Sequence, residues 1–299
     1  MNGGFLMESK KQIYDLIPAA YYPRTLFFPL PISPEAVTGT VRQHQFNFPM
    51  IAKPDIGARG MGVRKLYTEE DIAAYSQESH LDFLVQEYIP YEKEVGIFYY
   101  RLPGEKQGHI TGIVTKEFLG VTGNGKDSIR QLVMKEKRFI LQLAALETMF
   151  GDKLESIPAA GEALELVPYG NHARGAKFLD DSHLATPALL QLIDHIAAQI
   201  EGFHYGRMDI RFRDWDSLAQ GKNFSIIELN GAGAEPTHMY DPRHSLFFAW
   251  KEIIRHWIIL FKVSHLNHKK GVRYMSYSNG RKMFRDNTEF EKKIEQLYV

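Results

Sequence analysis

The chain has no cysteine, no net charge and no long uninterrupted apolar run. The absence of cysteine excludes a disulfide framework, a thiolate nucleophile and zinc held by cysteine. Lys and Arg number 36, as do Asp and Glu, so the formal charge of +0 indicates no bulk attraction to nucleic acid. Charged side chains interrupt the longest apolar stretch, residues 245–263, which therefore does not predict a membrane span. No signal-peptide pattern is visible in residues 1–20, so a cytoplasmic location is expected.

What is present is ordinary for a globular protein: 299 residues, 44% hydrophobic and 24% charged. The pattern predicts a hairpin over residues 94–119, one long helix over 128–149 and an amphipathic helix over 186–202. Two further helices are predicted to begin at Ser33 and at Thr68, which is spaced from Asp71 like a capping box. Residues 247–258 carry aromatic and aliphatic side chains at helical spacing, which we interpret as core, with a membrane surface or partner as the lesser alternative. The loop histidine at 238 is expected to be exposed.

Residues 204–242 contain two strand-like runs that carry ligands typical of a metal site. Side chains at i and i+2 of a strand share one face, so Arg207 and Asp209 are paired in the first run, as Glu228 and Asn230 are in the second. Mg²⁺ takes oxygen ligands, commonly one or two carboxylates together with substrate phosphates. The runs therefore predict a magnesium–nucleotide site at Asp209, Glu228 and Asn230. The alternative is a plain hairpin whose polar face meets water.

A glycine loop follows a strand that ends near Lys53. Its glycines, Gly57, Gly60 and Gly62, have the reverse order of the dinucleotide fingerprint and lead into a strand, so a Rossmann site is not predicted. Such a loop between antiparallel strands can offer backbone N–H groups to phosphates, with Lys53 neutralising their charge. The alternative is a flexible hairpin tip with a surface lysine.

A second glycine loop, residues 120–127, nearly matches the phosphate-binding loop G-x-x-x-x-G-K-[ST]. Asp127 stands where that motif needs a hydroxyl group, and its charge would oppose a triphosphate. The first loop is therefore the predicted phosphate loop, and the second remains its rival.

Together, the Lys53 loop, the segment VQEYIP (85–90) and the R-x-D…E-x-N set resemble the ATP-grasp superfamily, which includes D-alanine–D-alanine ligase and cyanophycin synthetase. The resemblance covers roughly residues 8–245. It implies an α+β fold in which two lobes with antiparallel sheets clasp ATP. The usual additional domain before the ATP-grasp lobes has no counterpart in this sequence.

Residue roles follow from the resemblance by position. It implies Arg207 as the catalytic group that holds the acyl phosphate. Gly231 and Gly233, which directly follow the metal ligands, could also act in catalysis by offering backbone N–H groups to the oxyanion, and the alternative is a plain turn. The metal ligands would be Asp209, Glu228 and Asn230. The implied nucleotide-binding residues are Lys10 (or Lys11), Lys53, Gly57, Gly60, Gly62, Gln86, Glu87, Ile89, Glu94 and Lys116, with His172 and Arg174 as weaker candidates.

The implied activity is that of an ATP- and Mg²⁺-dependent carboxylate–amine ligase that forms a C–N bond through an acyl phosphate. Two magnesium ions are expected, with Mn²⁺ as a substitute. The substrates would be a small carboxylate and an amine, amino-acid or peptide-like, and a homodimer is the oligomer considered. The alternatives are a small-molecule kinase and a non-catalytic ATP-binding module. The expected lobes are residues 1–89 and 90–263, followed by a basic tail, 264–299.

Overall fold

The computed structural model describes residues 3–57, 60–167 and 175–298, in which helices combine with three antiparallel sheets. The predicted α+β class is confirmed. The first sheet has the strand order β1-β4-β2-β3. Its strands are β1 (Thr25–Phe28), β2 (Met50–Pro54), β3 (Arg64–Leu66) and β4 (Phe83–Glu87).

Two helices, α2 (Pro34–Gln43) and α3 (Glu69–Glu78), contribute to the core of this sheet with Val37, Val41 and Ile72. Both begin at the caps that the sequence predicts. Ser33 accepts a hydrogen bond from the Ala36 amide, and Thr68 and Asp71 form a capping box. Such caps satisfy backbone donors that have no partner within the helix, which explains why the helices start there.

The second sheet has the order β11-β10-β5-β6-β9 and carries the larger core. It is built from β5 (Lys93–Tyr100), β6 (His109–Glu117), β9 (Lys177–Asp180), β10 (Tyr205–Phe212) and β11 (Phe224–Asn230). The predicted hairpin over residues 94–119 is confirmed as β5 and β6. One face of the sheet packs against α7 (Pro187–Gln199) and α8 (Trp215–Ala219).

The short helix α1 (Lys10–Tyr14) joins the core of the second sheet, although it precedes the first sheet in the chain. Tyr14 and Ile17 are buried there together with Leu84 of β4. The two sheets therefore meet across a shared apolar contact, and the opposite face of the second sheet stays available for polar side chains.

The third sheet pairs β7 (Leu119–Thr122) with β8 (Ala163–Val167) and packs against α4 (Ile129–Met134), α5 (Lys137–Ile140) and α6 (Leu143–Phe150). The single helix predicted over 128–149 is therefore wrong. In a continuous helix, Val133 and Phe139 would point about 120° apart. The breaks after Met134 and Ile140 let Val133, Phe139 and Leu146 enter one core.

The chain ends in α9 (Leu246–Lys269) and α10 (Tyr277–Tyr298). The predicted boundary at residue 263 lies inside α9. Among residues 3–57, 60–167 and 175–298, no helix combines the length and apolarity that a membrane crossing requires.

The apolar stripe predicted as core on α9 is largely exposed. The exposed fractions are 76% for Phe247, 51% for Trp250, 56% for Ile254, 68% for Trp257 and 50% for Ile258. The prediction is wrong for these five residues because α9 packs through another face, formed by Glu252, His256, Ile259 and Val263. Helical spacing defines a stripe but not the side of the helix that the fold covers.

We predict that Ile97→Ala lowers the free energy of unfolding by about 2–5 kcal/mol, because Ile97 is fully buried in the central strand β5. Urea denaturation measures the change. The matched control, Ile254→Ala, removes a side chain that is 56% exposed and should change stability by no more than about 0.5 kcal/mol. Equal effects of the two substitutions would contradict this assignment of the core.

Candidate active site

A buried carboxylate held by two cations lies at the centre of the second sheet. Asp209 is 1% exposed. Its Oδ1 accepts a hydrogen bond from Arg207 Nε at 2.7 Å, and its Oδ2 accepts one from Lys116 Nζ at 3.1 Å. Burial alone would raise the pKa of Asp209, but the adjacent Arg207 and Lys116 lower it to about 2. The carboxylate is therefore ionised at neutral pH.

Strand alternation and register explain why these groups converge. In β10, Met208, Ile210 and Phe212 enter the core, so Arg207, Asp209 and Arg211 lie on the opposite face. The neighbouring strands bring two further charges to this face, because Arg211 is opposite Glu94 and Glu94 is opposite Lys116. Glu94 accepts hydrogen bonds from Lys116 Nζ at 2.7 Å and Arg211 Nε at 3.4 Å.

Gly96 lies opposite Asp209 in the register of β5 and β10, where a side chain would not fit. A Cβ atom at this position would lie 3.0 Å from Arg207 Cδ, 3.0 Å from Asp209 Oδ1 and 2.9 Å from Val114 Cγ1. The glycine therefore leaves room for the guanidinium and carboxylate groups.

A bulge in β11 directs the remaining predicted ligands to the same face. Asp209 pairs with Glu228, but the next residue, Ile210, pairs with Ile226, so Ile227 is the extra residue. Because one extra residue reverses the alternation, Ile226 stays in the core while Glu228 and Asn230 lie beside Asp209 and Arg207.

Lys53 of the first sheet reaches the bulge. Its Nζ is 2.8 Å from the Tyr14 hydroxyl, 2.9 Å from Gln86 Oε1 and 3.4 Å from the Ile227 carbonyl oxygen. Tyr14 donates its own hydrogen bond to that carbonyl at 2.5 Å. Burial lowers the pKa of Lys53 to about 8, and Glu228 partly opposes this shift. Among the described residues no carboxylate forms an ion pair with this ammonium group, as expected of a cation that receives an anionic ligand.

Lys10 faces a cavity of about 190 Å³ that lies between β11, the first glycine loop, the N-terminal segment and α10. Its lining includes Lys10, Gly57, Glu228 and Asn230 from the predicted site, together with Tyr14 and Glu8. Burial lowers the pKa of Lys10, against the opposing effect of Glu228. Lys11, its alternative in the prediction, instead pairs with Asp15 at 2.6 Å. The structure thus brings Lys10, and not Lys11, to the cavity.

The N-terminal segment covers the glycine loop that follows β11. The Ala232 amide donates to the Gly3 carbonyl at 2.7 Å, and the Gly233 amide donates to the Gly4 carbonyl at 2.8 Å. The Glu8 carboxylate lies beside the backbone of Gly231. Burial raises the pKa of Glu8, the Gly231 backbone opposes this shift, and nearby Glu228 adds to it. Two amides of this loop thus meet carbonyl oxygens, and the third lies close to a carboxylate.

The residues of β11 fit a cation that is shared with a ligand. Glu228 is exposed to the cavity and accepts no hydrogen bond from the residues described, so its oxygens are available to a cation. The buried Nδ2 of Asn230 has no partner among them either, and as a donor it fits an oxygen of the ligand. Asp209 fits less directly, because Arg207 and Lys116 already engage both of its oxygens. No group of three His, Cys, Asp or Glu within residues 3–57, 60–167 and 175–298 forms a metal site by itself. Ligand oxygens would have to complete the coordination.

The other predicted nucleotide residues lie in or beside the first sheet, and among them Gln86 contacts Lys53. Gly60 and Gly62 both have a φ of +70°, and the Gly62 carbonyl accepts a hydrogen bond from the Tyr75 hydroxyl at 2.8 Å. The side chain of Gln86 is bonded to Lys53 and Thr25, whereas Glu87 pairs with Arg24 at 3.0 Å. Ile89 is half-buried after β4. His172 and Arg174 lie outside the described residues.

The rival glycine loop does not join the site. Asn124 Oδ1 accepts hydrogen bonds from the Lys126 and Asp127 amides at 3.0 and 2.9 Å, so the loop closes on itself beside the third sheet. Asp127 pairs with Lys135.

The prediction that His238 is exposed is wrong. Its side chain is 3% exposed and lies 3.3 Å from Glu252 Oε2, because α9 packs over its loop.

Sequence reasoning missed four residues of the centre: Glu8, Tyr14, Gly96 and Arg211. Arg211 continues the i, i+2 alternation of Arg207 and Asp209, so strand periodicity could have found it. Nothing local in the sequence marks the other three, because their role depends on contacts between distant segments, such as Gly231 with Glu8 and Asp209 with Gly96.

No protein-family model matches the chain, and no curated protein sequence matches it. Among solved structures, a VanG D-Ala:D-Ser ligase from Enterococcus faecalis matches at 14% identity and a TM-score of 0.48, over 87% of this chain and 62% of that chain. A bifunctional glutathione synthetase from Pasteurella multocida matches at 17% identity and 0.40, over 80% and 35%. The ATP-grasp ligase PsnB, complexed with a minimal precursor, matches at 18% identity and 0.42, over 79% and 55%.

One of these three matched structures is an ATP-grasp ligase, the superfamily that the sequence resembles. The chain spans from about a third to three fifths of the length of these three structures. At 14–18% identity the likeness concerns the fold, and the site residues are defined by their geometry in this chain.

We predict that Gly96→Ala destabilises the protein by about 1–3 kcal/mol, because its Cβ would press on Arg207 and Asp209. Thermal or urea unfolding measures the loss. The control is Gly39→Ala in α2, where a Cβ would meet no atom within 4 Å. It should stabilise the protein by about 0.5–1 kcal/mol. A stabilising Gly96→Ala substitution would be inconsistent with the close packing described.

A second prediction concerns pH. The pKa of Lys53 is about 8 in the folded protein and about 10.4 when unfolded, so the unfolded chain binds more protons between these values. The burial penalty is therefore complete below pH 8 and is relieved as the pH rises through this window. The stability of the wild type relative to Lys53→Met should increase by up to about 3 kcal/mol.

Urea unfolding at several pH values measures this difference. The same comparison with Lys222→Met, at an exposed lysine, should give a flat profile. A flat profile for Lys53→Met as well would contradict the depressed pKa of Lys53.

Proposed function

We propose that the chain is an ATP- and Mg²⁺-dependent ligase that joins a carboxylate to an amine through an acyl phosphate. The main support is the convergence, between two sheets, of Lys10 and Lys53 with Glu228, Asn230 and the Arg207–Asp209 pair. Two lysines on one side suit a triphosphate, and oxygen ligands on the other suit a cation that bridges its oxygens.

The residues proposed to bind the nucleotide form two groups, lysines that would contact the phosphates and oxygen ligands that would hold the metal. Burial lowers the pKa of Lys10 and of Lys53, and neither lysine forms an ion pair within the described part of the chain, so phosphate oxygens would supply the missing partner. Mg²⁺ held by Glu228 and Asn230 would neutralise phosphate charge, with Asp209 at its side. Glu94, which the resemblance assigns to the ribose, is bonded to Lys116 and Arg211, so its role here is to hold these cations.

The carboxylate substrate would lie where the Glu8 carboxylate now lies, beside the Gly231 backbone. A carboxylate oxygen attacks the γ-phosphorus, the bond from that phosphorus to the bridging oxygen breaks, and ADP leaves. The amine then attacks the acyl carbon, phosphate departs with the C–O electron pair, and the amine loses a proton to solvent. Arg207 would stabilise the oxyanion of this second step, and the amides of Gly231 and Gly233 would join it only after the N-terminal segment, whose Gly4 carbonyl now accepts from Gly233, moves away.

We predict that Glu228→Gln lowers the rate of ADP formation by about 10²–10³ without loss of fold, because the Glu228 carboxylate is exposed and holds no ion pair in the described structure. Release of ADP and phosphate is followed with ATP, Mg²⁺ and pooled amino acids, and mass spectrometry identifies the amide. Glu201→Gln, at an exposed glutamate after α7, is the matched control and should retain full activity.

Asp209→Asn is a weaker test, because it leaves Arg207 and Lys116 without their carboxylate and should cost about 3–5 kcal/mol of stability.

Wild-type activity in Glu228→Gln would reject the proposed metal ligand. A phosphorylated acceptor without free phosphate would indicate a kinase, and ATP binding without ADP formation would indicate a binding module.

A further inference from the structure

The outward face of α9 is apolar along most of its length. Trp250, Ile254, Trp257 and Phe261 are 51–68% exposed, and each lies two positions from a buried residue of the same helix. Two positions correspond to about 200° around a helix. These side chains therefore point away from the protein, opposite the face formed by Glu252, His256, Ile259 and Val263. At 24 residues the helix is about 36 Å long.

A row of positive charge runs along one flank of this apolar face. Lys251, Lys262 and Lys269 recur at intervals of 11 and 7 residues, which brings them to one side of the helix, and all three are exposed. They form no ion pair within the described structure. The only acidic residue of α9, Glu252, is 4% exposed and is held by His238 and Arg255, both at 3.3 Å. The outer surface of α9 thus carries no carboxylate.

The charge is uneven along the chain. Residues 246–285 contain nine Lys or Arg and one acidic residue, a formal charge of +8. The rest of the chain therefore carries −8, since the total is +0. Beyond α9, Val272, Tyr274 and Tyr277 add further exposed apolar or aromatic side chains. Apolar exposure and positive charge thus occur together in this one part of the chain.

We propose that the outer face of α9 binds the surface of an anionic phospholipid bilayer, with the helix parallel to the membrane plane. Trp and Phe side chains together with a basic flank are typical of helices that insert at the headgroup boundary. The helix does not cross the membrane, in agreement with the absence of a spanning helix in the described residues. Anionic headgroups supply the charge that Lys251, Lys262 and Lys269 lack.

A second copy of the chain fits this surface less well. In a face-to-face antiparallel pair related by a two-fold axis, the basic flank of each α9 lies beside its own copy, where like charges repel. A bilayer accepts both the apolar face and the basic flank at once. The inference is independent of the proposed ligase activity, because none of these residues belongs to the candidate active site.

The test is flotation of the full chain with phosphatidylcholine vesicles that either contain or lack phosphatidylglycerol. The wild type should float only with the anionic vesicles and should bind less at about 0.5 M than at about 0.1 M NaCl. Trp250→Ala with Trp257→Ala should reduce binding at least about tenfold. Lys251→Gln with Lys262→Gln should reduce it about 25-fold, from about fivefold per charge.

Two control substitutions remove the same kinds of side chain, one apolar and one basic, at exposed positions outside α9. Ile157→Ala removes an apolar side chain that is 58% exposed outside α9, and Lys222→Gln removes an exposed lysine. Both should bind as the wild type does. Circular dichroism and ADP formation, where present, should be unchanged in all variants, since only exposed side chains are altered.

Three results would overturn the proposal. The first is equal binding to neutral and anionic vesicles, and the second is anionic binding that survives both double substitutions. The third is a wild-type dimer, seen by light scattering, that ignores vesicles and dissociates on Trp250→Ala with Trp257→Ala. That result would assign the surface to contact between copies.

Discussion

The ion cluster around Asp209 is the interaction on which the site depends. A carboxylate that is 1% exposed is tolerated only because a guanidinium and an ammonium group bind its two oxygens. Those partners come from β10 itself and from β6, so the cluster requires the register of three adjacent strands and the missing side chain at Gly96. The architecture of the second sheet and the electrostatics of the site are therefore inseparable. In this cluster two carboxylates, Asp209 and Glu94, meet three cations, Arg207, Lys116 and Arg211. The net positive charge of the cluster favours anionic ligands.

The first sheet contributes to the site through a single polar contact. Lys53 and Tyr14 converge on the Ile227 carbonyl, which joins β2 and α1 to β11. This contact places two poorly solvated ammonium groups, Lys10 and Lys53, against the exposed carboxylate of Glu228. The N-terminal residues then cover the loop at 231–233 with backbone carbonyls and the Glu8 carboxylate. The cavity of about 190 Å³ is smaller than the ~300–1,000 Å³ usual for ligand sites, so a nucleotide needs this cover or the sheets to move.

The sequence predicted those features of the fold that depend on neighbouring residues along the chain. The caps at Ser33 and Thr68, the hairpin of β5 and β6, and the shared faces of Arg207 with Asp209 and Glu228 with Asn230 follow from short-range geometry. The side of α9 that the fold covers, the burial of His238 and the breaks after Met134 and Ile140 depend on distant contacts, and the sequence pattern misjudged all three. The pairing of Glu94 and Lys116 was missed for the same reason, since periodicity gives a residue's face but not its neighbour.

The extra residue at Ile227 gives β11 a second function besides carrying the polar side chains. If it were removed, Ile226 would still face the core and Glu228 and Asn230 would still face the site, because plain alternation then gives the same faces. The deletion would instead remove the Ile227 carbonyl, on which Lys53 and Tyr14 converge. A strand shortened by one residue could thus keep every charged group of the second sheet in place and still lose its attachment to the first.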